Sequence, residues 1–294
     1  MKKLFPFIVF LSILIFSGCD KVLIPQQPHS SVVQVNDTFR KIFIEDFTGH
    51  LCQNCPAAAH VLENLKASYP DQVIGMAVHS TYWAEPCDGN PAVPTGATAT
   101  FLDDFRTTEN ADYESIYGIS NWAYPTGLIN RFGNASPIDP LDYTAWAAQA
   151  ATVLQDSMTA YIKINPTYNS STRVLNVTVT GEFLCDTTGT YSIALYLTES
   201  GIVGGQVDFS IQPDHLDNNY MFNDIFRGCI NSPGFIRGEQ ITLPTTIFGH
   251  TPINYTSPSF TINAGYNAAN CKIIAILINN SDRGVLQAAE VDVQ

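Results

Sequence analysis

Basic residues are scarce in this chain. Lysine and arginine together number 14, against 27 aspartates and glutamates, so the formal net charge at pH 7 is -13 over 294 residues. A surface this acidic repels phosphate backbones and anionic lipid headgroups. We therefore expect no nucleic acid among the partners of this protein and no charge-driven binding to anionic membrane faces.

The sequence also lacks the motifs that announce a cofactor or a common catalytic centre. It contains no glycine-rich phosphate loop, no nucleophile-elbow pattern and no internal repeat. A structural zinc site needs a second close pair of ligands. Beyond one C-x-x-C stretch the later cysteines are scattered, at Cys87, Cys185, Cys229 and Cys271. We therefore expect neither a metal nor a cofactor.

Long apolar runs are confined to the N-terminus. Lys2 and Lys3 precede the run LFPFIVFLSILIF, which is short for a membrane span, and Ser17, Gly18 and Cys19 follow it. This order is typical of a secretory signal peptide. A cysteine directly after small residues is typical of the bacterial lipoprotein type, in which the chain is cut before the cysteine and acylated there.

We predict that residues 1–18 are a lipoprotein signal peptide and that Cys19 carries the lipid. An ordinary signal peptide with a chance cysteine, or an uncleaved anchor helix, are the alternatives. The lipid anchor would make the membrane a partner and place the protein in the cell envelope, at the outer membrane, with the face undetermined. Export exposes the chain to an oxidising environment, so we expect a disulfide among the later cysteines without choosing the pairing.

Periodicity divides the rest of the chain into three parts. Residues 19–38 are polar and rich in Pro and Ser, as in a flexible tether. Residues 39–160 alternate strand-like and helix-like patterns, and residues 161–294 show strand-like patterns. We predict an α/β domain followed by an all-β sandwich, with the boundary near residue 160.

The α/β pattern begins with a buried strand, KIFIEDF. Ala58, Val61, Leu62 and Leu65 then follow the i, i+3, i+4, i+7 spacing of a helix, and QVIGMAV forms the next buried strand. Strand, helix and strand within forty residues predict a parallel βαβ unit. A further helix near the end of this part is predicted to begin at Asp139 as its N-cap.

Beyond residue 160 the apolar residues recur with a period of two. Leu175, Val177 and Val179 alternate with polar residues, and about seven such strands are separated by turn residues. This pattern predicts an antiparallel β-sandwich. Residues 213–224, PDHLDNNYMFND, hold several acids and amides without calcium-loop spacing, and we interpret them as a structural loop.

Cys52 and Cys55 form the C-x-x-C stretch, directly before the first helix-like run. At a helix N-terminus, free N–H groups and the helix dipole stabilise a thiolate. Cys52 could then attack a substrate disulfide, and Cys55 could resolve the mixed disulfide. In that case we expect Cys52 to be the more exposed and more acidic thiol. The pair could instead be a disulfide that only stiffens the turn, or half of a metal site.

Two more residues stand out beside this pair. Asp46 lies inside the first apolar strand, where an acid is costly unless it has a partner or a task. Tyr124-Pro125-Thr126 leads from a turn into a short strand, which is a plausible place for a cis bond.

With these residues, the stretch 39–160 resembles the thioredoxin superfamily. Members of that family carry an acid on a strand, a C-x-x-C opening a helix and, later, a cis-proline beside the pair. The resemblance implies Asp46 as proton acceptor, Cys52 as nucleophile, Cys55 as resolving thiol and Pro125 as the residue that shapes the substrate groove.

The sequence departs from the thioredoxin pattern next to the cysteines. Leu51 replaces the usual aromatic residue, and Gln53 and Asn54 stand between the cysteines. No cation is adjacent to Cys52, although His50 is near enough to serve. With no fixed positive charge between the cysteines, we expect a moderate lowering of the Cys52 pKa.

The whole chain is similar to a narrower group, the outer membrane protein 28-related family of envelope lipoproteins. That family combines a thioredoxin-like front half with an immunoglobulin-like rear half, so the same fold class is implied here. The similarity is carried by four stretches: IEDFTGHLCQNCP, YPTGLINR, DNNYMFNDIFRG and IIAILINNSDRGVLQAAEV.

Two functions of different class follow. The first is a membrane-tethered thiol–disulfide exchange protein whose substrate is a protein dithiol or disulfide. The second is a surface lipoprotein that binds a protein or a glycan, with the C-x-x-C as a structural disulfide. A fold shared by many functions cannot decide between them.

Overall fold

The computed structural model describes residues 39–88, 100–101, 103–131, 140–231 and 235–294. Cys19, the signal peptide and the tether lie outside the described residues, as do Asp139 and the side chain of Cys87. Within the described part of the chain, no helix is both long and apolar enough to cross a membrane.

The front part of the chain mixes helices and strands. Strands β1 and β2 pair in parallel, from Ile42 with Val73 to Thr48 with His79, so the predicted βαβ unit is confirmed. The elements are β1 (Ile42–Thr48), α1 (Cys55–Ser68), β2 (Val73–His79), β3 (Cys87–Asp88), β4 (Thr100–Phe101), α2 (Asn110–Tyr117), β5 (Thr126–Ile129), β6 (Leu141–Asp142) and α3 (Trp146–Val153).

The last helix of the front part starts later than predicted. A 3-10 turn over Tyr143–Ala145 follows β6, and the Asp142 side chain accepts a hydrogen bond from the backbone N–H of Thr144. Helix α3 then begins at Trp146, whose side chain is fully buried under β1 and α1. The predicted helix start after Asp139 is therefore wrong, because residues 141–142 form β6 and Asp142 caps the 3-10 turn that leads into α3.

The rear part of the chain is built from strands. Its elements are β7 (Ala160–Asn169), β8 (Val174–Phe183), β9 (Thr187–Thr188), β10 (Tyr191–Glu199), β11 (Ile202–Val207), β12 (Leu216–Phe222), β13 (Ile225–Cys229), β14 (Glu239–Gln240), β15 (Thr246–Ile247), β16 (Pro252–Thr256), β17 (Phe260–Thr261), β18 (Cys271–Asn279) and β19 (Val285–Asp292). The sheet of β7, β8, β16 and β17 packs on β10, β18 and β19 around an apolar core. This part is therefore sandwich-like.

Strands β10 and β18 are buried on both faces. Ile193, Leu195 and Leu197 of β10 enter the sandwich core, whereas Ala194 and Tyr196 enter a second core formed with β1, β2 and α2. Successive side chains of a strand point to opposite faces. A strand covered on both faces reads as a continuous apolar run, which explains why these segments do not alternate.

The two parts of the chain also share a sheet. Among the described strands its order is β19-β18-β10-β13-β2-β1-β5-β6, and the junction is the parallel pairing of Ile225 on β13 with Ala77 on β2. The fold is thus a mixed α/β region followed by a sandwich-like region, with strands of both regions in one sheet. A domain boundary near residue 160 stays a prediction.

The disulfide expected within the rear part is absent from the described residues. Cys185 is exposed, Cys229 and Cys271 are buried, and all three are free thiols. Cys229 faces Tyr196 from one side of β10, and Cys271 faces Glu199 from the other. Two strand spacings amount to roughly 9–10 Å, beyond the ~7 Å that a disulfide spans between Cα atoms.

Candidate functional site

The C-x-x-C stretch occupies the turn between β1 and α1. The backbone N–H of Cys52 donates to the Gly49 carbonyl over 3.0 Å, and that of Cys55 donates to the Cys52 carbonyl over 3.2 Å. Helix α1 begins at Cys55 itself, with Pro56 in its first turn. Gly49 is required here, because a Cβ would lie 2.4 Å from the Trp83 backbone.

The two cysteines form a disulfide, with Cα atoms 5.4 Å apart. Each cysteine is only 2% exposed. The expectation that Cys52 is the more exposed of the two is therefore wrong for this oxidised state. Cys55 is the first residue of α1, whereas Cys52 lies in the turn before the helix.

A hairpin of the rear part covers this turn. We call residues 202–222, which are β11, β12 and the segment that joins them, the covering hairpin. The backbone N–H of Val207 donates to the His50 carbonyl over 2.9 Å, and that of Phe209 donates to the Gln53 carbonyl over 3.2 Å. The Gln206 side chain donates to the Cys52 carbonyl over 3.0 Å. These hydrogen bonds hold the hairpin against the turn that carries the cysteines, and the disulfide is therefore buried.

His50 does not supply the missing cation. Burial lowers the pKa of His50, outweighing the backbone carbonyl of Glu85 and nearby carboxylates that raise it. Its Nε2 lies 2.9 Å from the Glu85 carbonyl oxygen, and its ring stacks on Phe101 at 5.1 Å between centroids. The imidazole is therefore a neutral packing group near the disulfide at pH 7.

Asp46 is buried in the middle of the sheet. It lies on β1, opposite Ala77 of β2 and Gly127 of β5, and is 2% exposed. Its Oδ1 has no hydrogen-bond partner among the described residues. Burial raises the pKa of Asp46 to about 8. The carboxyl group is therefore mostly protonated at pH 7, and a rise of about one pH unit brings it to half ionisation.

Asp46 and Cys55 line the same cavity, which we call the carboxylate cavity. Its volume is about 320 Å³ and it lies between α1, the ends of β1 and β2, and the covering hairpin. His79 also lines it; burial lowers its pKa to about 3, and Phe105 and Phe222 pack edge-on against its ring. His79 is therefore a neutral packing residue of this wall.

Pro125 lies at the beginning of β5, and its peptide bond with Tyr124 is cis. Thr126 pairs with Phe47, so Pro125 comes beside the end of β1, where the turn to the cysteines begins. Pro125 is not among the residues that line the carboxylate cavity. The structure thus brings Asp46 and Cys55 to one cavity and places Pro125 directly before the neighbouring strand β5.

The covering hairpin supplies residues that the sequence did not assign to a site. Gln206, Asp208, Asp217 and Tyr220 line the carboxylate cavity. Burial first, and then the carboxylates led by Asp46, raise the pKa of Tyr220. The interpretation of residues 213–224 as a loop is wrong, because β12 occupies most of them. The spacing of Leu216, Tyr220 and Phe222 by even numbers of residues is the sequence pattern that could have indicated this strand.

The fold and this site define a mixed α/β and β-sandwich protein with a buried C-x-x-C disulfide. The chain matches the model of the family "Outer membrane protein Omp28" over residues 110–294. This match covers more than half of the chain, and the chain therefore belongs to that family. Its membership points to the cell envelope. No curated protein sequence matches the chain.

One solved structure shows a similar fold at low sequence identity, and a second is similar over part of the chain. HBP35 of Porphyromonas gingivalis aligns over 87% of this chain and 76% of its own, with a TM-score of 0.61 and 14% identity. A domain of the outer membrane lipoprotein Omp28 from the same organism is 18% identical, over 46% of this chain and 88% of its own, with a TM-score of 0.29. The first likeness supports the fold alone.

Proposed function

We propose that this protein carries out thiol–disulfide exchange through Cys52 and Cys55, on a thioredoxin-like front region joined to an immunoglobulin-like rear region. The observation that carries the proposal is the placement of Asp46. A buried carboxyl group without a partner for Oδ1 is costly, and perturbed acids beside a reactive pair are typical of functional sites. It lines one cavity with Cys55.

The oxidised state shown by the Cys52–Cys55 bond accepts two electrons. A thiolate of a substrate dithiol attacks Sγ of Cys52, a mixed disulfide forms, and the bond to Cys55 breaks. Cys55 leaves as a thiolate and takes the proton of Asp46. The second substrate thiol, deprotonated by Asp46, attacks its partner sulfur in the mixed disulfide. Cys52 leaves as a thiolate that water protonates, and the substrate departs as a disulfide.

Substrate access requires movement of the covering hairpin. Both sulfurs are buried beneath it, and three groups of the hairpin donate to carbonyls of the turn: Gln206, Val207 and Phe209. The same observation favours a second function, in which the disulfide is purely structural and the protein binds a protein or glycan at another surface. Exchange activity separates the two.

The test uses the purified full chain with dithiothreitol as reductant and insulin as disulfide substrate. We expect turnover that is lost in Cys52→Ser and slowed at least about tenfold at pH 7 in Asp46→Asn, since a positioned base contributes that much or more. Asp71→Asn, which removes an exposed carboxylate on a turn, is the matched control. Turnover equal to that of Cys52→Ser would leave the structural disulfide as the function of this pair.

We also propose that Cys19 carries a lipid that anchors the protein to the outer membrane. Acyl chains contribute about 0.8 kcal/mol per buried methylene group, which is sufficient for stable anchoring when several chains are attached. Cys19→Ala should release the protein into the soluble fraction after a high-salt wash. Retention of this variant in the membrane fraction would refute the anchor.

A further inference from the structure

A second cavity lies away from the disulfide, on the side of the molecule formed by α2. We call it the arginine cavity. Its volume is about 670 Å³, within the range of small-molecule sites. It lies between α2 with the turn that follows, a loop of the rear part, and the turn between β18 and β19. Its lining includes Glu114, Tyr117, Asn121, Trp122, Arg237 and Arg283.

Two arginines from distant parts of the chain meet at this cavity. Arg237 comes from the loop before β14 and Arg283 from the β18–β19 turn. Neither belongs to an ion pair among the described residues, although acids outnumber basic residues 27 to 14. Burial raises the pKa of Tyr117, and the charges of Arg131, Arg283 and Arg237 oppose this rise, so both cavity arginines lie near enough to act on the hydroxyl.

The acid that lines the cavity is already engaged. Glu114 Oε2 accepts from the Ser120 backbone N–H over 2.8 Å, and its Oε1 accepts from the Ser120 hydroxyl over 2.7 Å. Its charge is thereby held at the end of α2. Among the described residues no carboxylate pairs with the two guanidinium groups, so their donors can take an added anion. Arginine forks match the two oxygens of a carboxylate.

Tyr117 is a second, independent sign of a ligand. It lines the cavity and is only 2% exposed, yet its hydroxyl has no hydrogen-bond partner among the described residues. Buried hydroxyl groups in native structures are normally paired, and an orphan costs about 1–3 kcal/mol. A polar ligand in the cavity would supply the partner.

Trp122 forms an apolar wall beside these polar groups. Its side chain is half-buried, and its Nε1 donates to the Tyr117 carbonyl over 3.4 Å, which fixes the indole relative to α2. An aromatic face held in place beside polar, solvated groups is suited to bind a ring whose face is apolar and whose edge is polar. Sugar rings have this character.

We propose that the arginine cavity binds an acidic saccharide. A carboxylate of the sugar pairs with Arg237 and Arg283, the ring packs on Trp122, and a sugar hydroxyl bonds to the Tyr117 hydroxyl. The proposal is independent of the disulfide chemistry, because the arginine and carboxylate cavities share no lining residue.

Calorimetric titration of the purified full chain tests the proposal. The probes are trigalacturonate and a hyaluronan hexasaccharide, each compared with its methyl ester, which keeps the sugar and removes the charge. We expect binding of at least one acid and loss of that binding in its ester. Arg237→Gln and Arg283→Gln should each weaken it about tenfold, as expected for a lost charge-assisted bond.

Two further variants separate the pocket from general electrostatics. Lys163→Gln removes an exposed charge on β7 and should leave affinity within about twofold. Tyr117→Phe should raise the thermal midpoint of the free protein while weakening binding about threefold, because it removes an orphan hydroxyl that the ligand satisfies. No binding of either acid, equal binding of acid and ester, or equal losses in Lys163→Gln and the arginine variants would each overturn the proposal.

Discussion

The sandwich core and the front layer bury different kinds of side chain. The core between β7, β8, β10 and β18 consists of apolar side chains, and the buried acid beside it, Glu199 of β10, is paired with Arg227. Around β1, in contrast, Glu45, Asp46, His79 and Arg131 are each no more than 3% exposed. Burial of charge is costly unless the group is paired or has a task. The front layer therefore holds a buried acid, Asp46, without a cationic partner among the described residues, whereas the acid beside the sandwich core is paired.

Two adjacent carboxyl groups on β1 sharpen this contrast. Glu45 points to the core shared with α2, where Arg131 donates to both of its oxygens, at 2.7 and 2.5 Å. Burial is the largest single effect and lowers the pKa of Arg131, but Glu45, Tyr117 and Tyr196 together raise it well above its ordinary value. Asp46 points to the opposite face and has no such cation. The pair at Glu45 is structural, and the unpaired acid is the one that faces the disulfide.

The largest effect should come from breaking the buried pair. Arg131→Met leaves the Glu45 carboxylate buried without its cation, and we expect a loss of about 3–5 kcal/mol in the free energy of unfolding. Urea denaturation measures it. The double variant Glu45→Gln with Arg131→Met should recover a large part of the loss. A cost below about 1 kcal/mol for Arg131→Met would show that water reaches this region and that the contrast with the sandwich is weak.

A smaller, pH-dependent effect should come from Asp46. Its pKa of about 8 in the folded state lies above the unfolded value of 3.8, so the folded state binds more protons between these values. Stability is therefore lost as pH rises through this window, by up to about 1.4 kcal/mol per pH unit. Asp46→Asn should remove this slope between pH 5 and 7, measured by denaturation of the oxidised protein at each pH.

Asp71→Asn again controls for the loss of one carboxylate. It should leave the dependence of stability on pH close to that of the parent chain, because Asp71 is exposed. Parallel slopes for the parent chain and Asp46→Asn would mean that Asp46 is ionised in the folded protein. The basis for its role as a proton carrier would then be lost.

The smallest effect concerns reactivity rather than stability. Without reductant, iodoacetamide at pH 8 should label Cys185 rapidly, since it is exposed, and spare Cys229 and Cys271. Burial raises the pKa of Cys271 to about 12 and raises that of Cys229 as well, so both remain protonated thiols. Mass spectrometry of peptides reports the three rates. Detection of a Cys229–Cys271 disulfide would contradict the described positions of these residues.

Local chemistry was readable from the chain itself. The spacing of Ala58, Leu62 and Leu65 predicts α1, and the apolar runs on either side of it predict the parallel strands β1 and β2. Cys52 and Cys55 are three positions apart, so a turn entering a helix brings their sulfurs together whatever surrounds them. Asp46 could also be singled out from the sequence, because an acid inside an apolar strand is recognised from its immediate neighbours and its burial costs free energy.

Misjudged features depended on contacts between distant residues. The cysteines of the rear part looked like disulfide partners by compartment, yet β10 lies between Cys229 and Cys271. The start of α3 is an exception with a local cause, because Asp142 caps a 3-10 turn that precedes the helix. Residues 216–222 looked like a polar loop because β12 has one wet face and pairs with β11 alone.

By itself, the sequence determined most of the strands and helices and the position of the C-x-x-C pair, since backbone preferences and i, i+3 spacing act over a few residues. Only the tertiary structure decided that β10 and β18 serve two cores, that Gln206 covers Cys52 from 154 positions away, and that Arg237 and Arg283 meet beside Tyr117. Such contacts follow from how the sheets pack, and packing is a property of the whole chain.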